Sequence, residues 1–178
     1  MIPKQTPQED PRRYAGRTRI GRSGEDELRL ILEAYGFIVN PTGQEHWLPV
    51  SIHRQIRHNH TDPMVRAVRH MPDFLTFHPL LDIRFFAYWD AKVNVTAGTE
   101  NFTIEKASYE EFLARVQKGE RVVVAFKDVD GLWYANWAEA LEIKADMSRL
   151  RHEANGAQTP YLLVAKSSTR RLNDFLMH

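Results

Sequence analysis

The sequence predicts an α/β protein in which helices cover both faces of a central mixed β-sheet. Residues 23–37 and residues 105–118 carry apolar side chains at helical spacing, so each stretch predicts an amphipathic helix. Residues 121–126, Arg-Val-Val-Val-Ala-Phe, form a continuous apolar run that is typical of a strand covered on both faces. A chain of 178 residues with 43% apolar content is long enough for one domain with a substantial core.

The first helix is predicted to begin near Ser23 and to end at Gly36. Ser23 followed by Asp26 resembles a capping box, with Asp in place of the usual Glu or Gln. Gly36 stands where a left-handed C-terminal cap is expected. The predicted buried face consists of four residues at helical spacing: Leu28, Ile31, Leu32 and Tyr35.

Glu25 lies at the head of this buried face, three residues before Leu28 and seven before Leu32. A lone buried carboxylate is unfavourable, so two interpretations stay open. The carboxylate either projects from the helix towards a metal ion or water, or it interacts with the helix dipole in the first turn.

The next three predicted elements are strands over residues 37–39, 73–77 and 85–95. In the third, every odd-numbered residue is apolar, so this face is expected to lie against the core. Asp90 and Lys92 therefore share the opposite face, two residues apart.

Asp73 follows Pro72 directly and, with Asp90 and Lys92, forms the most informative pattern in the chain. Carboxylates bind a hard divalent cation through oxygen, and a lysine stabilises an attacking water or the charge that builds on phosphorus. These are the groups of a metal-dependent phosphodiesterase. The alternative is a loop turn at Pro72 and a surface ion pair between Asp90 and Lys92.

The C-terminal half supplies the remaining elements of the predicted sandwich. The 105–118 helix is expected to end at Gly119, and residues 132–137 predict an edge strand. Residues 161–165 predict a last strand, followed by a short helix around residues 169–177.

Together, the helix with Glu25, the Pro-Asp strand and the Asp-X-Lys strand resemble the PD-(D/E)xK nuclease superfamily. The helix is most similar to that of archaeal-type Holliday junction resolvases and their phage relatives. The resemblance covers residues 21–39 and 71–127, and Asp90 stands where the superfamily more often has Glu. It implies a restriction-endonuclease-like α/β/α sandwich.

The resemblance also implies an active site of Glu25, Asp73, Asp90 and Lys92. The three carboxylates are expected to bind Mg²⁺, for which Mn²⁺ would substitute, and Lys92 to act on the attacking water. The implied activity is endonucleolytic hydrolysis of branched or junction DNA by a homodimer. A restriction- or repair-type nuclease, an inactive DNA-binding or assembly protein, and a metal-free RNA nuclease of tRNA-splicing type are the alternatives.

Positive charge is concentrated in two segments, although the net charge is only +1. Residues 1–20 predict a basic arm before a single domain over residues 21–178, and this arm is either a flexible, solvated tail or a phosphate-binding element. An insertion at about residues 41–71 is too long for a simple hairpin connection, and residues 64–69 within it predict a short helix. The arginines expected to contact DNA are Arg17, Arg19, Arg22, Arg54, Arg57, Arg66 and Arg69.

The insertion also holds five histidines: His46, His53, His58, His60 and His70. Their spacing fits no usual zinc-binding pattern, so a positively charged segment that contacts the DNA backbone is favoured over a zinc site, with a plain loop as the third interpretation.

Glu105 and Lys106 open the second helix and Ser108 follows, so Glu105 and Ser108 are candidates to support the metal site. Glu105 lies on the inward side of the helix, so it either supports the metal site or caps the helix. The aromatic residues of the predicted edge strand are interpreted as packing residues, with base stacking as the alternative: Trp133, Tyr134 and Trp137.

The chain has no cysteine, so disulfides and thiolate metal sites are excluded. No apolar run approaches the length of a membrane span, and the N-terminus is polar. We therefore expect a cytoplasmic protein of a prokaryote, or a viral protein in the host cytoplasm.

Overall fold

The structure, a computed structural model, describes residues 11–43, 48–49, 52, 62–80, 86–94, 100–147 and 160–177, with the backbone alone for residues 11–20. These ranges contain four α-helices: α1 (Pro11–Ala34), α2 (Pro63–Arg69), α3 (Lys106–Gln117) and α4 (Leu172–Met177). They contain nine strands: β1 (Ile38–Pro41), β2 (Phe74–Phe77), β3 (Ala87–Val93), β4 (Asn101–Glu105), β5 (Val122–Lys127), β6 (Trp133–Trp137), β7 (Ile143–Asp146), β8 (Tyr161–Ala165) and β9 (Arg170–Arg171). Of the helices described, none combines the length and the apolar character that crossing a membrane requires.

Six strands form a central sheet in the order β1-β2-β3-β5-β6-β9. β3 and β5 run parallel, and the other neighbouring pairs run antiparallel, so the sheet is mixed. Parallel strands need a crossover connection, and the described part of this one contains β4 and α3. A second, antiparallel sheet has the order β4-β8-β7.

Two hydrophobic cores lie on opposite faces of the central sheet. The first joins α1 and α4 to the sheet through residues that include Leu28, Leu32, Trp89 and Phe175. The second joins α3 and the smaller sheet to the other face through residues that include Phe102, Phe112, Leu162 and Val164. β5 contributes alternate residues to both cores, as expected for a strand covered on both faces. The predicted class, helices on both faces of a central mixed sheet, is confirmed.

Helix α1 is longer than predicted, because it begins at Pro11 and runs through Ser23 without interruption. Proline is favoured at a first helical position because its missing N–H would have no partner there. The capping box at Ser23 is therefore wrong. Serine favours caps, but an exposed serine such as Ser23 is also tolerated within a helix.

The predicted end of α1 at Gly36 is confirmed. Gly36 has φ +88°, its amide donates to the Glu33 carbonyl at 2.9 Å, and the Phe37 amide donates to the Leu32 carbonyl at 3.1 Å. This is a Schellman cap. Tyr35 lies past the last helical residue, so it leaves the helical period and is 38% exposed instead of buried.

Most strand predictions are confirmed with shifted ends, but two are corrected. β6 was expected at the sheet edge, yet β9 pairs with it on its outer side. Residues 161–165 were expected to form the last strand, but β9 follows β8 in the chain, and β8 pairs with β4 and β7 in the smaller sheet. The short helix expected over residues 64–69 is confirmed as α2, and the Asp62 side chain caps it by accepting hydrogen bonds from the amides of Met64 and Val65.

Candidate active site

Asp73 lies immediately before β2 and is held through both its backbone and its side chain. Its carbonyl oxygen accepts hydrogen bonds from the amides of Thr42 at 2.8 Å and Gly43 at 3.2 Å. The Thr42 hydroxyl donates to the Pro72 carbonyl at 2.6 Å. The Oδ2 atom of Asp73 accepts a hydrogen bond from the Ala91 amide at 2.7 Å. The end of β1 and the middle of β3 thus fix the position of this carboxylate.

Asp90 and Lys92 are neighbours on one face of β3, as the alternation predicts, while Trp89 and Ala91 pack into the core beneath α1. The Lys92 Nζ atom lies 2.5 Å from the Oδ2 atom of Asp90. The Asp90 side chain is only 4% exposed and that of Lys92 is 27% exposed. A surface ion pair is therefore excluded, because one of the two charges is buried.

The two aspartates come together through the pairing of β2 with β3. Phe74 pairs with Trp89 in this antiparallel register, and continuing the register by one residue places Asp73 opposite Asp90. Burial, the negative charge of Asp90 and the more weakly acting charge of Glu25 raise the pKa of Asp73 well above its ordinary range, against the effects of Lys92 and the Ala91 amide. Glu25 is half-buried on α1; its charge reaches Asp73, but among the described residues it does not join Asp73 and Asp90 in a set of three metal ligands.

Lys92 lies among negative charges. Burial alone would lower its pKa, but the attraction of Asp90 and Asp73 outweighs burial, and the pKa of Lys92 is raised. Lys92 is therefore a cation at neutral pH. Glu105 contributes in the same direction. It occupies the N-cap position of α3 but makes no side-chain hydrogen bond as a cap.

The Ser108 side chain is buried one helical turn after Glu105. Its hydroxyl lies 3.0 Å from the Nδ1 atom of His70, at the C-cap of α2. Of the five histidines considered for zinc, His70 is the one within the described residues; His46, His53, His58 and His60 lie outside them.

The structure describes some of the basic residues that are expected to contact DNA. Arg66 forms an exposed ion pair with Glu110 at 3.3 Å, so its charge is partly compensated. Arg69 is half-buried on α2, and Arg22 is exposed on α1. Arg17 and Arg19 belong to α1, and only their backbone is described, whereas Arg54 and Arg57 lie outside the described residues. Their contacts with DNA stay a prediction.

The aromatic residues of β6 pack within the protein. Trp133 is buried, and the Trp137 ring lies 5.4 Å from the Phe175 ring. The Tyr134 ring is contacted by two cations, Lys166 at 4.3 Å and Arg171 at 4.8 Å. These contacts favour packing over base stacking.

Sequence reasoning missed three groups near the site. Thr42 and Gly43 were assigned to the insertion, although Thr-Gly directly after a strand is a turn signal. His70 was grouped with the other histidines, and no local pattern connects it to Ser108. Asn94 continues the face of Asp90 and Lys92, and its Oδ1 atom accepts a hydrogen bond from the Thr103 hydroxyl at 3.1 Å. The same alternation that found Lys92 predicts this position.

No protein-family model matches the chain, and no curated protein matches it in sequence. Among solved structures it is similar to Archaeoglobus fulgidus Hjc, a Holliday junction resolvase from an archaeal hyperthermophile, with a TM-score of 0.52 and 11% sequence identity. The match covers 88% of this chain and 95% of Hjc. This chain has a restriction-endonuclease-like fold. At this level of identity the similarity to Hjc extends to the fold alone, and the chemistry of the site depends on its own residues.

The described residues contain no group of three or more histidine, cysteine or carboxylate side chains placed to hold a metal ion. Mg²⁺ nevertheless needs few protein ligands, because it is usually bound by one or two carboxylates, with waters and substrate phosphates completing its shell. Asp73 and Asp90 supply two such carboxylates from adjacent strands. Together with burial, their mutual repulsion raises the pKa of Asp73, and a divalent cation relieves such repulsion. The donor set therefore fits Mg²⁺ or Mn²⁺.

Replacing Asp73 with asparagine is expected to raise the melting temperature of the metal-free protein at neutral pH. A carboxyl whose pKa is raised in the folded state destabilises that state above the ordinary carboxyl pKa, and asparagine removes this cost. In a domain of this size, each ~1 kcal/mol of relieved repulsion raises Tm by about 2–4 °C. The measurement is thermal unfolding in EDTA at pH 7.5 and at pH 4, where the gain should shrink because wild-type Asp73 becomes protonated. A lower Tm for Asp73→Asn at pH 7.5 would mean that attraction to Lys92 dominates.

Proposed function

We propose that this protein is a divalent-metal-dependent DNA endonuclease. The observation that carries the proposal is the convergence of Asp73, Asp90 and Lys92 on one face of two paired strands, with Asp90 buried and held by Lys92 at 2.5 Å. A buried aspartate–lysine pair beside a second carboxylate is costly to maintain as a purely structural feature. It is explained by a function that needs an oxygen ligand set and a fixed positive charge in the same place.

In the proposed reaction, Asp73 and Asp90 would hold Mg²⁺ or Mn²⁺, and Glu25 would complete the carboxylate set through water. When bound, the metal ion supplies Lewis-acid stabilisation of the phosphate charge. Lys92 orients the attacking water through its ammonium group and stabilises negative charge that develops on the phosphoryl oxygens. Asp90 keeps Lys92 in place, and the Ala91 amide keeps Asp73 in the orientation of a ligand.

For the substrate, we propose branched or junction DNA, cut by a homodimer so that two strands are cleaved. The resemblance of the α1 helix to junction resolvases and the similarity of the fold to Hjc support this choice. Arg17, Arg19, Arg22, Arg54, Arg57, Arg66 and Arg69 are the proposed phosphate contacts. A restriction- or repair-type nuclease is the alternative within the same chemistry. An inactive DNA-binding protein is disfavoured because all four residues, Glu25, Asp73, Asp90 and Lys92, are present.

Cleavage is expected to require Mg²⁺ or Mn²⁺ and to be absent in EDTA. Ca²⁺ should support DNA binding with poor cleavage, because its larger and looser shell does not reproduce the octahedral geometry of Mg²⁺. The measurement is a cleavage assay on linear, nicked, flapped and four-way DNA of the same sequence, with each metal and with EDTA. Preference for the four-way substrate supports a resolvase, and equal cutting of linear DNA supports a restriction- or repair-type enzyme.

Two controls separate this proposal from its competitors. Full activity in EDTA would contradict a metal mechanism and favour an RNA nuclease without metal, which matched RNA substrates would reveal. Binding of DNA without cleavage under every metal condition would favour the inactive DNA-binding protein.

A further inference from the structure

A buried polar contact joins the two chain segments that flank the candidate active site. His70 and Ser108 are 8% and 6% exposed, and the His70 Nδ1 atom lies 3.0 Å from the Ser108 hydroxyl. Burying a polar group costs folding free energy unless the group forms a hydrogen bond, and most buried polar groups in proteins do. No step of the proposed reaction uses either side chain, so the pair needs another explanation.

Each partner is connected by a short stretch of chain to a group of the site. His70 is the C-cap of α2, and its amide donates to the Arg66 carbonyl. Three residues later comes Asp73, whose backbone is held by Thr42 and Gly43. The contact therefore holds one end of the segment whose other end carries Asp73.

Ser108 lies on the first turn of α3, one turn after Glu105. Positions i and i+3 share a helix face, and Glu105 is close enough to Lys92 to raise its pKa. The first turn of α3 thus contacts the Asp73 segment through Ser108 and faces Lys92 through Glu105.

The His70 ring is surrounded by positive charge. Burial together with Arg69, Arg66 and Lys92 lowers its pKa to about 4, so the ring is neutral at the pH of a nuclease assay. A neutral ring holds one proton, so Nδ1 either donates to the Ser108 hydroxyl or accepts from it, according to which ring nitrogen carries the proton. This suits a fixed positioning contact and argues against a proton-transfer role.

We propose that the His70–Ser108 hydrogen bond is a positioning contact, which sets the distance between the Asp73 segment and the first turn of α3 and so aligns the metal-binding carboxylates with Lys92. The inference rests on the proposed nuclease function. His70 and Ser108 are positioning residues, because they act through Asp73 and Lys92 and not on the substrate.

Three substitutions test this contact. Ser108→Ala removes the hydroxyl. His70→Asn places an amide group where Nδ1 lies, one bond from Cγ, whereas His70→Gln places it further out, near the position of Nε2. Loss of a group that supports a metal ligand typically costs about 10–100-fold in metal affinity or activity.

We therefore expect Ser108→Ala and His70→Gln to lower kcat and to raise the half-saturating Mg²⁺ concentration, each about 10-fold or more, with little change in the KM for DNA. His70→Asn should retain most of the wild-type activity, because it restores the contact with Ser108. The matched control is Ser168→Ala, which removes a serine hydroxyl bonded to the Ala165 carbonyl in the turn after β8 and should leave the Mg²⁺ dependence unchanged.

A measurement without DNA tests the hydrogen bond itself. The ¹⁵N spectrum of His70 should show one neutral tautomer in the wild type and a mixture in Ser108→Ala. If His70→Asn and His70→Gln lose activity equally, or if Ser108→Ala keeps the wild-type Mg²⁺ dependence, the positioning inference is wrong while the nuclease proposal stands. If the wild type cleaves no DNA with any metal and its melting temperature does not respond to Mn²⁺, the proposed function fails first and the inference fails with it.

Discussion

Replacing Lys92 with methionine is expected to reduce DNA cleavage by about 10²–10³-fold, the usual cost of losing one electrostatic stabiliser of a transition state. Methionine keeps most of the apolar stem of lysine and removes the charge. DNA affinity should change little, because the substitution removes a charge that is proposed to act on the reacting phosphate during cleavage. The measurement is single-turnover cleavage in saturating Mg²⁺, with DNA binding measured separately in Ca²⁺.

The substitution also leaves Asp90 buried without the lysine that accompanies it, and breaking a buried pair from one side costs stability. The control is Lys166→Met, because Lys166 pairs at 2.9 Å with Asp128, another buried aspartate. Both variants should lower Tm, and only Lys92→Met should lose cleavage. In the double variant Asp90→Asn/Lys92→Met the stability should return and the activity should not. Wild-type cleavage rates in a folded Lys92→Met protein would show that the active site lies elsewhere.

The elements that could be predicted from sequence are those whose signal is local. β3 was found from strict alternation, and this alternation placed Asp90 and Lys92 together on one face before any pairing was known. The end of α1 at Gly36 was found because a positive φ at a helix end strongly favours glycine. The sequence placed Asp73 at the start of a strand, but only the structure shows that this strand pairs with β3 and sets Asp73 opposite Asp90.

The features that could not be predicted depend on pairings between distant segments. β4 alternates Phe102 and Ile104 with polar residues, but its partner β8 lies far along the chain, where Asn101 pairs with Ala165. A pattern of five residues does not indicate which of two sheets it joins. The start of α1 was misplaced because Ser23 is a good cap and also an acceptable exposed helical residue.

The contacts around the candidate site also depend on pairings between distant segments, which local sequence patterns do not predict. The Thr42–Pro72 and His70–Ser108 hydrogen bonds join residues 30 and 38 positions apart. Each connects elements whose approach is decided by the whole fold. Sequence therefore indicated the charged groups of the site, and only the structure identified the groups that hold them.

Replacing Gly24 with alanine is expected to destabilise the protein by about 1–3 kcal/mol, the usual cost of overpacking a core, although alanine is the better helix former. Gly24 is buried on α1 where the helix crosses β3, and a Cβ atom there would overlap the Cγ2 atom of Val93. Valine is β-branched and has few alternative rotamers, so the helix would have to move away from the strand. The higher helix propensity of alanine relative to glycine offsets only about 1 kcal/mol of this destabilisation.

The same substitution should also impair cleavage, because Glu25 is the next residue and its position relative to Asp73 depends on how closely α1 packs on β3. The matched control is Gly21→Ala on the same helix. Among the described residues, no neighbouring heavy atom lies within 4 Å of the position that a Cβ atom would take at residue 21. Gly21→Ala should therefore stabilise the protein by about 0.5–1 kcal/mol and leave cleavage unchanged.

A second substitution, Val93→Ala, tests whether the effect of Gly24→Ala comes from steric overlap with the Val93 side chain. Val93→Ala removes the Cγ2 atom, so Gly24→Ala/Val93→Ala should fold with α1 close to its original position and regain much of the lost activity. Val93→Ala alone should leave a small cavity and cost stability in its own right. The two substitutions should thus be far less damaging together than the sum of their separate effects, which is measured as the coupling energy of a double-mutant cycle. Additive losses in stability and in cleavage would show that α1 does not approach β3 through Gly24 and that Glu25 is positioned by other contacts.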